Sequence, residues 1–408
     1  MLGRKVARQD RRQGKPQGVP RVESTGTARA GWGKEVGDGS ANMFNGGMRN
    51  PRSVWVLQPG RVDLDLLQEG EGIELTPVGG SWKGSWKNLY SILQRFRREP
   101  PDFLVVTERE FSCFGNHDSW PAGIFRLGRQ LIRRPVDALV LCLFAEAVKR
   151  NVPIALINRS DNGRLPPGTD WFYRRCHACF VRELHPLPEI ALQDLFTPSG
   201  GNPQTSRRGR RLVSWIDPGC PKQRDTSKLR PVSLGISSRA FGMISPAREK
   251  KWDLFFAGDL EEKGLRGRLL EECRHYGQSR GLRFLLTGRM DYSEYLRTLS
   301  ESRLSLSPPG MGWDCWRHYE SLAAGSVPLM AYPTILQHRP AIDGEHCFYF
   351  APEPGGLTRA LDRGFAMQRQ LPHLAEAGRR LVHEHHTFPK LREYVIRETM
   401  EAFERSRV

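Results

Sequence analysis

Between Trp252 and Tyr332 the chain alternates short apolar runs with amphipathic segments, and this alternation restricts the possible folds more than any other feature. The runs DLFFAGD, RFLLTG, RLSLS and VPLMAY are separated by helical patterns at Leu265 to Gln278, Tyr292 to Ser302 and Cys315 to Ala324. Runs this short that stay apolar on both alternate positions, as DLFFAGD, RFLLTG and VPLMAY do, are buried on both faces. Helices long enough to cross over between them make the neighbouring strands parallel and exclude a sandwich. The first half has the same pattern, less cleanly: SVWVLQP from Ser53, Ile73 to Val78, a helix at Lys87 to Arg98, DFLVVTE, a helix through Val136 to Arg150, VPIALINRSD, and a strand at Ala178 to Leu184. A chain of 408 residues is long enough for two such units. The predicted fold class is therefore α/β, with two doubly wound domains at 51–235 and 236–370 and closing helices at 371–408 whose apolar positions are Leu371, Leu374, Leu381, Leu391, Tyr394 and Val395. Periodicity collapses at about 186–228, which predicts an insertion or interdomain stretch, with the boundary just after the LGIS run that starts at Leu234.

Charge decides less than its size suggests. The net charge is +17, yet Met1 to Asn50 holds ten Lys or Arg against four acidic residues, so six of those charges sit in a segment almost without apolar residues. Such a segment cannot offset its ordering entropy, and a disordered basic tail is expected at 1–50. Its composition also fits a transit peptide without a clear amphipathic helix, or a translation start at Met43 or Met48. The remaining charge is scattered, with no aromatic-interleaved basic stripe, helix-turn-helix or zinc-finger pattern, so no nucleic-acid partner is expected. The greasiest stretch, ALVLCLFAEAV at Ala138 to Val148, contains Glu146 and falls short of the roughly 18 apolar residues of a membrane span. A cytoplasmic location is expected, and the basic surface is compatible with peripheral association at an anionic membrane face. The eight cysteines suit a reducing compartment. CHAC at Cys176 to Cys179 has no second ligand pair, so it is read as a buried strand and no metal or cofactor is expected.

In open α/β sheets ligands bind beyond the carboxyl ends of the strands. Three loops of the second half are therefore candidates. In AGDLEEKGLRGR, Gly258 lets backbone approach a ligand while Lys263, Arg266 and Arg268 supply positive charge; a turn followed by a solvated helix face is the plainer alternative. TGRMD places Gly288 and Arg289 at the end of a strand, where a simple turn explains them equally well. PPGMGWD sets Gly310 and Gly312 directly before a helix, exposing backbone N–H groups at the positive end of its dipole, a natural seat for phosphate. Asp314 is the expected helix cap, and Cys315, Trp316, Tyr319, Leu322 and Ala323 the expected buried stripe. Arg317 and Glu320 share another face, as an arginine for a pyrophosphate and a carboxylate for ribose hydroxyls or as an ordinary intrahelical ion pair.

The string from FAGD through LTG to SPPGMGWDCWRHYESLAAGSVPL resembles the donor half of GT-B glycosyltransferases, in the exostosin-like and group 1 (spore-maturation-type) branches. The resemblance covers Trp252 to Phe350, and AGRRLVHEHHTFPKLREYV is similar to the usual end of group 1 enzymes. It implies two Rossmann-like domains and a nucleotide diphospho-sugar donor, with Glu320 on the ribose, Arg317 or Lys263 near the diphosphate, and Gly258, Gly310 and Gly312 in backbone contact. Many group 1 enzymes carry a second glutamate eight positions before the first, where this chain has Gly312. In such enzymes the first half holds the acceptor, a glycan, lipid or protein hydroxyl. The candidates for a general base there are His117 and Asp118 in FGNHDSW and Asp161 in INRSDNG, each of which also fits a turn. A non-catalytic protein of the same fold that binds glycan or nucleotide is the alternative. FVREL at Phe180 to Leu184 also resembles these proteins, without a physical role that the sequence reveals.

Overall fold

The computed structural model describes residues 51–57, 67, 74–78, 86–107, 135–161, 163–165, 170–192, 225–247, 249–260 and 264–407. The expected basic tail at 1–50 and most of the irregular stretch at 186–228 lie outside the described residues. Among these residues two all-parallel sheets form. The first takes β1 (Ser53–Leu57), β2 (Glu74–Val78), β3 (Phe103–Thr107), β4 (Ile154–Asn158), β5 (Ala178–Val181) and β6 (Leu229–Pro231) in the order β2-β1-β3-β4-β5-β6. The second takes β7 (Trp252–Ala257), β8 (Phe284–Thr287), β9 (Ser302–Ser307), β10 (Val327–Ala331) and β11 (Phe348–Phe350) in the order β11-β10-β9-β7-β8. Every residue of β3, β4, β5 and β10 is buried, as two-faced coverage of a parallel sheet requires.

Helices α1 (Trp86–Arg98), α2 (Pro135–Lys149) and the short α3 (Asp170–Arg175) belong to the first half. The core on one face of its sheet joins Phe96 and Phe144 to Leu104, Leu156 and Val181. In the second half, α4 (Ser238–Met243), α5 (Leu265–Arg280), α6 (Tyr292–Ser300), α7 (Trp316–Ala323), α8 (Gly356–Ala366) and α9 (Leu371–Leu381) surround the sheet. Helix α5 stops at Gly281, whose left-handed backbone (φ 63) lets its amide reach the carbonyls of Gln278 and Gly277. Asp291 caps α6 through the amides of Ser293 and Glu294. This helix ends at Ser300, two residues earlier than its pattern predicts, because Ser302 already pairs with Trp252 in the sheet.

The closing helices divide between the halves. Leu371 and Leu374 of α9 join the second core. After one π-helical turn at Val382–His386, α10 (Phe388–Arg405) returns to the first sheet, placing Phe388, Leu391 and Val395 against Val54, Val56, Phe103 and Val105. The chain thus crosses between the halves twice, and the crossings lie side by side: the Ile236 amide donates to the His386 carbonyl at 2.9 Å and the Phe388 amide to the Ile236 carbonyl at 3.0 Å. Among the described residues no helix is long and apolar enough to cross a membrane. Cys176 and Cys179 are buried free thiols, and burial pushes Cys176 up to about 12.

Candidate functional site

In the second sheet β7 is followed outward by β8 on one side, and the chain then crosses to β9 on the other. The crevice beyond the carboxyl ends of β7 and β9 is therefore the topological switch point of this half. The loops bearing Gly258 and Gly310 open onto it. Gly258 donates its amide to the Thr287 carbonyl at 3.1 Å, which ties it to the loop carrying Gly288 and the exposed Arg289. A Cβ at 258 would lie 3.0 Å from the Phe256 ring, so backbone and ring meet closely there. Arg317, in the first turn of α7, sits over the same ring at 5.7 Å and reaches the Pro308 carbonyl at 3.5 Å. Arg266, in the first turn of α5, reaches the Pro309 carbonyl at 3.5 Å. Two guanidinium groups from two helix starts thus converge on one loop. The Arg317 Nε is buried without a hydrogen-bond partner in the structure.

Arg317 and Glu320 do not form the ion pair that their spacing allows. Glu320 instead accepts the Tyr292 hydroxyl at one oxygen and the Tyr295 hydroxyl at the other, each at 3.0 Å. Burial pushes its carboxyl above the usual range, with the two hydroxyls acting against the shift. Both tyrosines come from α6, which follows the Gly288 loop.

The glycine loop corrects two expectations. Asp314 does not cap the helix; its carboxylate accepts the Leu234 amide at 2.7 Å and the Tyr319 hydroxyl at 2.6 Å, fastening α7 to the first interdomain crossing. The anion seat at the loop is also taken by the protein itself. Glu183, two residues beyond β5 of the opposite half, accepts the Trp313 amide at Oε2 and the Asp314 amide at Oε1, both at 2.9 Å. Its side chain is 7% exposed, and burial raises its carboxyl above the usual range. Within α7 the buried stripe holds at Tyr319, Leu322 and Ala323 but not at Trp316, which is 37% exposed beside Arg159. His318 is buried instead, bonded to the Ser307 hydroxyl at 2.7 Å and the Trp313 carbonyl at 2.9 Å.

A cleft of about 600 Å³ separates the halves, bringing Asp161, Glu183 and His185 of the first to Gly310, Met311, Gly312 and Tyr332 of the second. Asp161 thus lines the same cleft as the glycine loop, and it is paired with Arg182. Arg182 also lies 3.3 Å from Glu183. The Nδ1 of His185 accepts the Leu187 amide at 3.0 Å. Gly258, Gly288, Arg289, Arg317 and Glu320 do not line this cleft. Gly258 and Gly288 follow the carboxyl ends of β7 and β8, and Arg317 and Glu320 lie on α7. Lys263, His117 and Asp118 lie outside the described residues. Sequence reasoning missed Arg182, Glu183, His185 and the two tyrosines. The signal for the first two was a charged pair placed directly after a buried strand, in FVREL.

Comparison with known proteins gives three findings. The family model described as RXYLT1 C-terminal domain matches residues 286–336, the segment that carries the Gly288 loop, the glycine loop and α7. No curated protein matches the chain. Similar solved structures include a glycosyltransferase from Rickettsia africae ESF-5, at 9% identity over 88% of this chain and 99% of that one with a TM-score of 0.47. An alpha-glucosyltransferase in complex with UDP is similar at 9% identity, over 87% of this chain and 100% of that one, with a TM-score of 0.49. Anabaena HepE in complex with UDP is similar at 10% identity, over 86% and 100%, with a TM-score of 0.41.

Proposed function

We propose that this chain transfers a sugar from a nucleotide diphospho-sugar to an acceptor hydroxyl. The observation that carries the proposal is the convergence of Arg266 and Arg317 on the Pro308–Pro309 carbonyls at the switch point, with Arg317 Nε buried and unpartnered. A diphosphate in that crevice supplies acceptors for both guanidinium groups, and Gly258 lets it approach the backbone. The resemblance of the Ser307 to Met330 segment to donor-binding sequences supports the same assignment, as does the family match over it. In the reaction the acceptor oxygen bonds to the anomeric carbon while the carbon–oxygen bond to the diphosphate breaks. The electron pair leaves with the nucleoside diphosphate, whose charge the two arginines stabilise. Asp161, across the cleft, takes the acceptor proton, and Glu320 meets the ribose hydroxyls with the lone pairs its tyrosines leave over. The cations in this scheme are the protein's own. Lys263 beside the diphosphate, and His117 or Asp118 in place of Asp161, complete the set of candidates.

Screening purified protein against common sugar nucleotides tests the function. Arg317→Ala and Glu320→Ala are each expected to lower turnover by about 100-fold or more while circular dichroism shows a folded chain. Wild-type turnover retained in both variants sinks the site assignment. Calorimetry showing no binding to any common donor favours a non-catalytic glycan- or nucleotide-binding role.

A further inference from the structure

We infer that Glu183 is a positioning residue for the glycine loop, acting from the opposite half of the molecule. Its carboxylate holds two consecutive loop amides, those of Trp313 and Asp314, at 2.9 Å each. Arg182 braces it from behind at 3.3 Å and in turn pairs with Asp161 in the cleft. A continuous path of charge-assisted bonds therefore runs from the acceptor side of the cleft to the loop beside Arg266 and Arg317. The loop is built around this carboxylate. A Cβ at Gly312 would fall 2.3 Å from Glu183 Oε1, 2.5 Å from its Cδ and 3.0 Å from an Arg182 nitrogen, so a side chain at 312 and the Glu183 contact exclude one another. Glycine at 312 thus leaves room for a carboxylate delivered from just beyond β5. Because Glu183 comes from the opposite half, the described shape of the loop depends on a contact across the cleft.

The consequence for turnover rests on the sugar-transfer function proposed above; the contact itself is tested without it. The full chain is compared with E183Q, E183A, G312A and the E183A/G312A double variant. Hydrogen exchange at the Trp313 and Asp314 amides is expected to quicken about ten-fold or more in each single variant. The double variant is expected to be no worse than E183A, because the clash that G312A creates disappears with the carboxylate. In kinetics, E183Q is expected to lower kcat by about 100-fold while UDP affinity by calorimetry changes less than about three-fold, since the arginines that meet a diphosphate stay in place. Unchanged exchange in E183Q overturns the inference, and so do additive losses in the double variant. Tighter UDP binding in E183Q and E183A also overturns it, because the carboxylate then competes with a ligand phosphate. A wild-type chain that neither binds UDP nor turns over any donor sinks sugar transfer, leaving amide exchange to decide the contact.

Discussion

Glu320 lies among hydroxyls, and the two that hold it differ in what replaces them when removed. Tyr292 is 45% exposed, so water can take over the bond lost in Tyr292→Phe. Tyr295 is half-buried, with its ring 5.8 Å from that of Phe255, and Tyr295→Phe leaves a buried carboxylate oxygen without a donor. Tyr295→Phe is expected to cost about 1–3 kcal/mol and Tyr292→Phe clearly less, read as the shift in urea midpoint. Equal costs would show that solvent reaches both oxygens. The pair also shows where sequence ends: spacing placed Glu320 on an exposed helix face beside Arg317, but the tyrosines of a neighbouring helix cover most of that face and leave Glu320 8% exposed. Periodicity describes one helix at a time and does not see its neighbour's hydroxyls.

Helix α10 belongs in sequence to the second half and in packing to the first. Leu391 is fully buried against the first sheet's core, and Leu391→Ala is expected to cost about 2–5 kcal/mol in urea denaturation, whereas Lys390→Ala on the exposed side stays within about 0.5 kcal/mol. The sequence located the closing helices and their apolar positions but assigned them no sheet, since apolar spacing names a face and not its partner. Strands of five or six residues built on four consecutive apolar ones, such as β3, β4 and β7, were legible because burial on both faces leaves a continuous run. The three-residue strands β6 and β11 were not, because so short a run is made a strand only by its neighbours in the sheet. The same limit applies to the site. Loops at strand ends were found from glycine placement, but the carboxylate seated on the Trp313 amide comes from 130 residues earlier.

At the scale of the whole molecule, the joint between the halves is rich in histidines held neutral. His386 is 3% exposed, bonded to Ser233 and to the Arg339 carbonyl, and burial lowers it to about 4. Burial likewise lowers His338, stacked on Tyr394 of α10, to about 3. In the unfolded chain both take up protons near the ordinary histidine value of about 6.5, so between there and the lowered values the unfolded state binds more protons. The contribution of these two histidines therefore falls as pH drops below about 6.5, by about 2 kcal/mol at pH 5 for His386 alone, while the raised carboxyls of Glu183 and Glu320 act in the opposite direction. Between pH 7.5 and 5 the urea midpoint is expected to fall more steeply in the wild type than in His386→Gln; equal slopes would contradict the neutral burial of His386. The twin crossings at Ile236 and Thr387 run through this same joint. Two strands of chain bound side by side remove most degrees of freedom between the bodies they connect. The Glu183 contact and the Leu336 amide on the Leu184 carbonyl, at 2.6 Å, then fasten the halves a second time, beside the cleft.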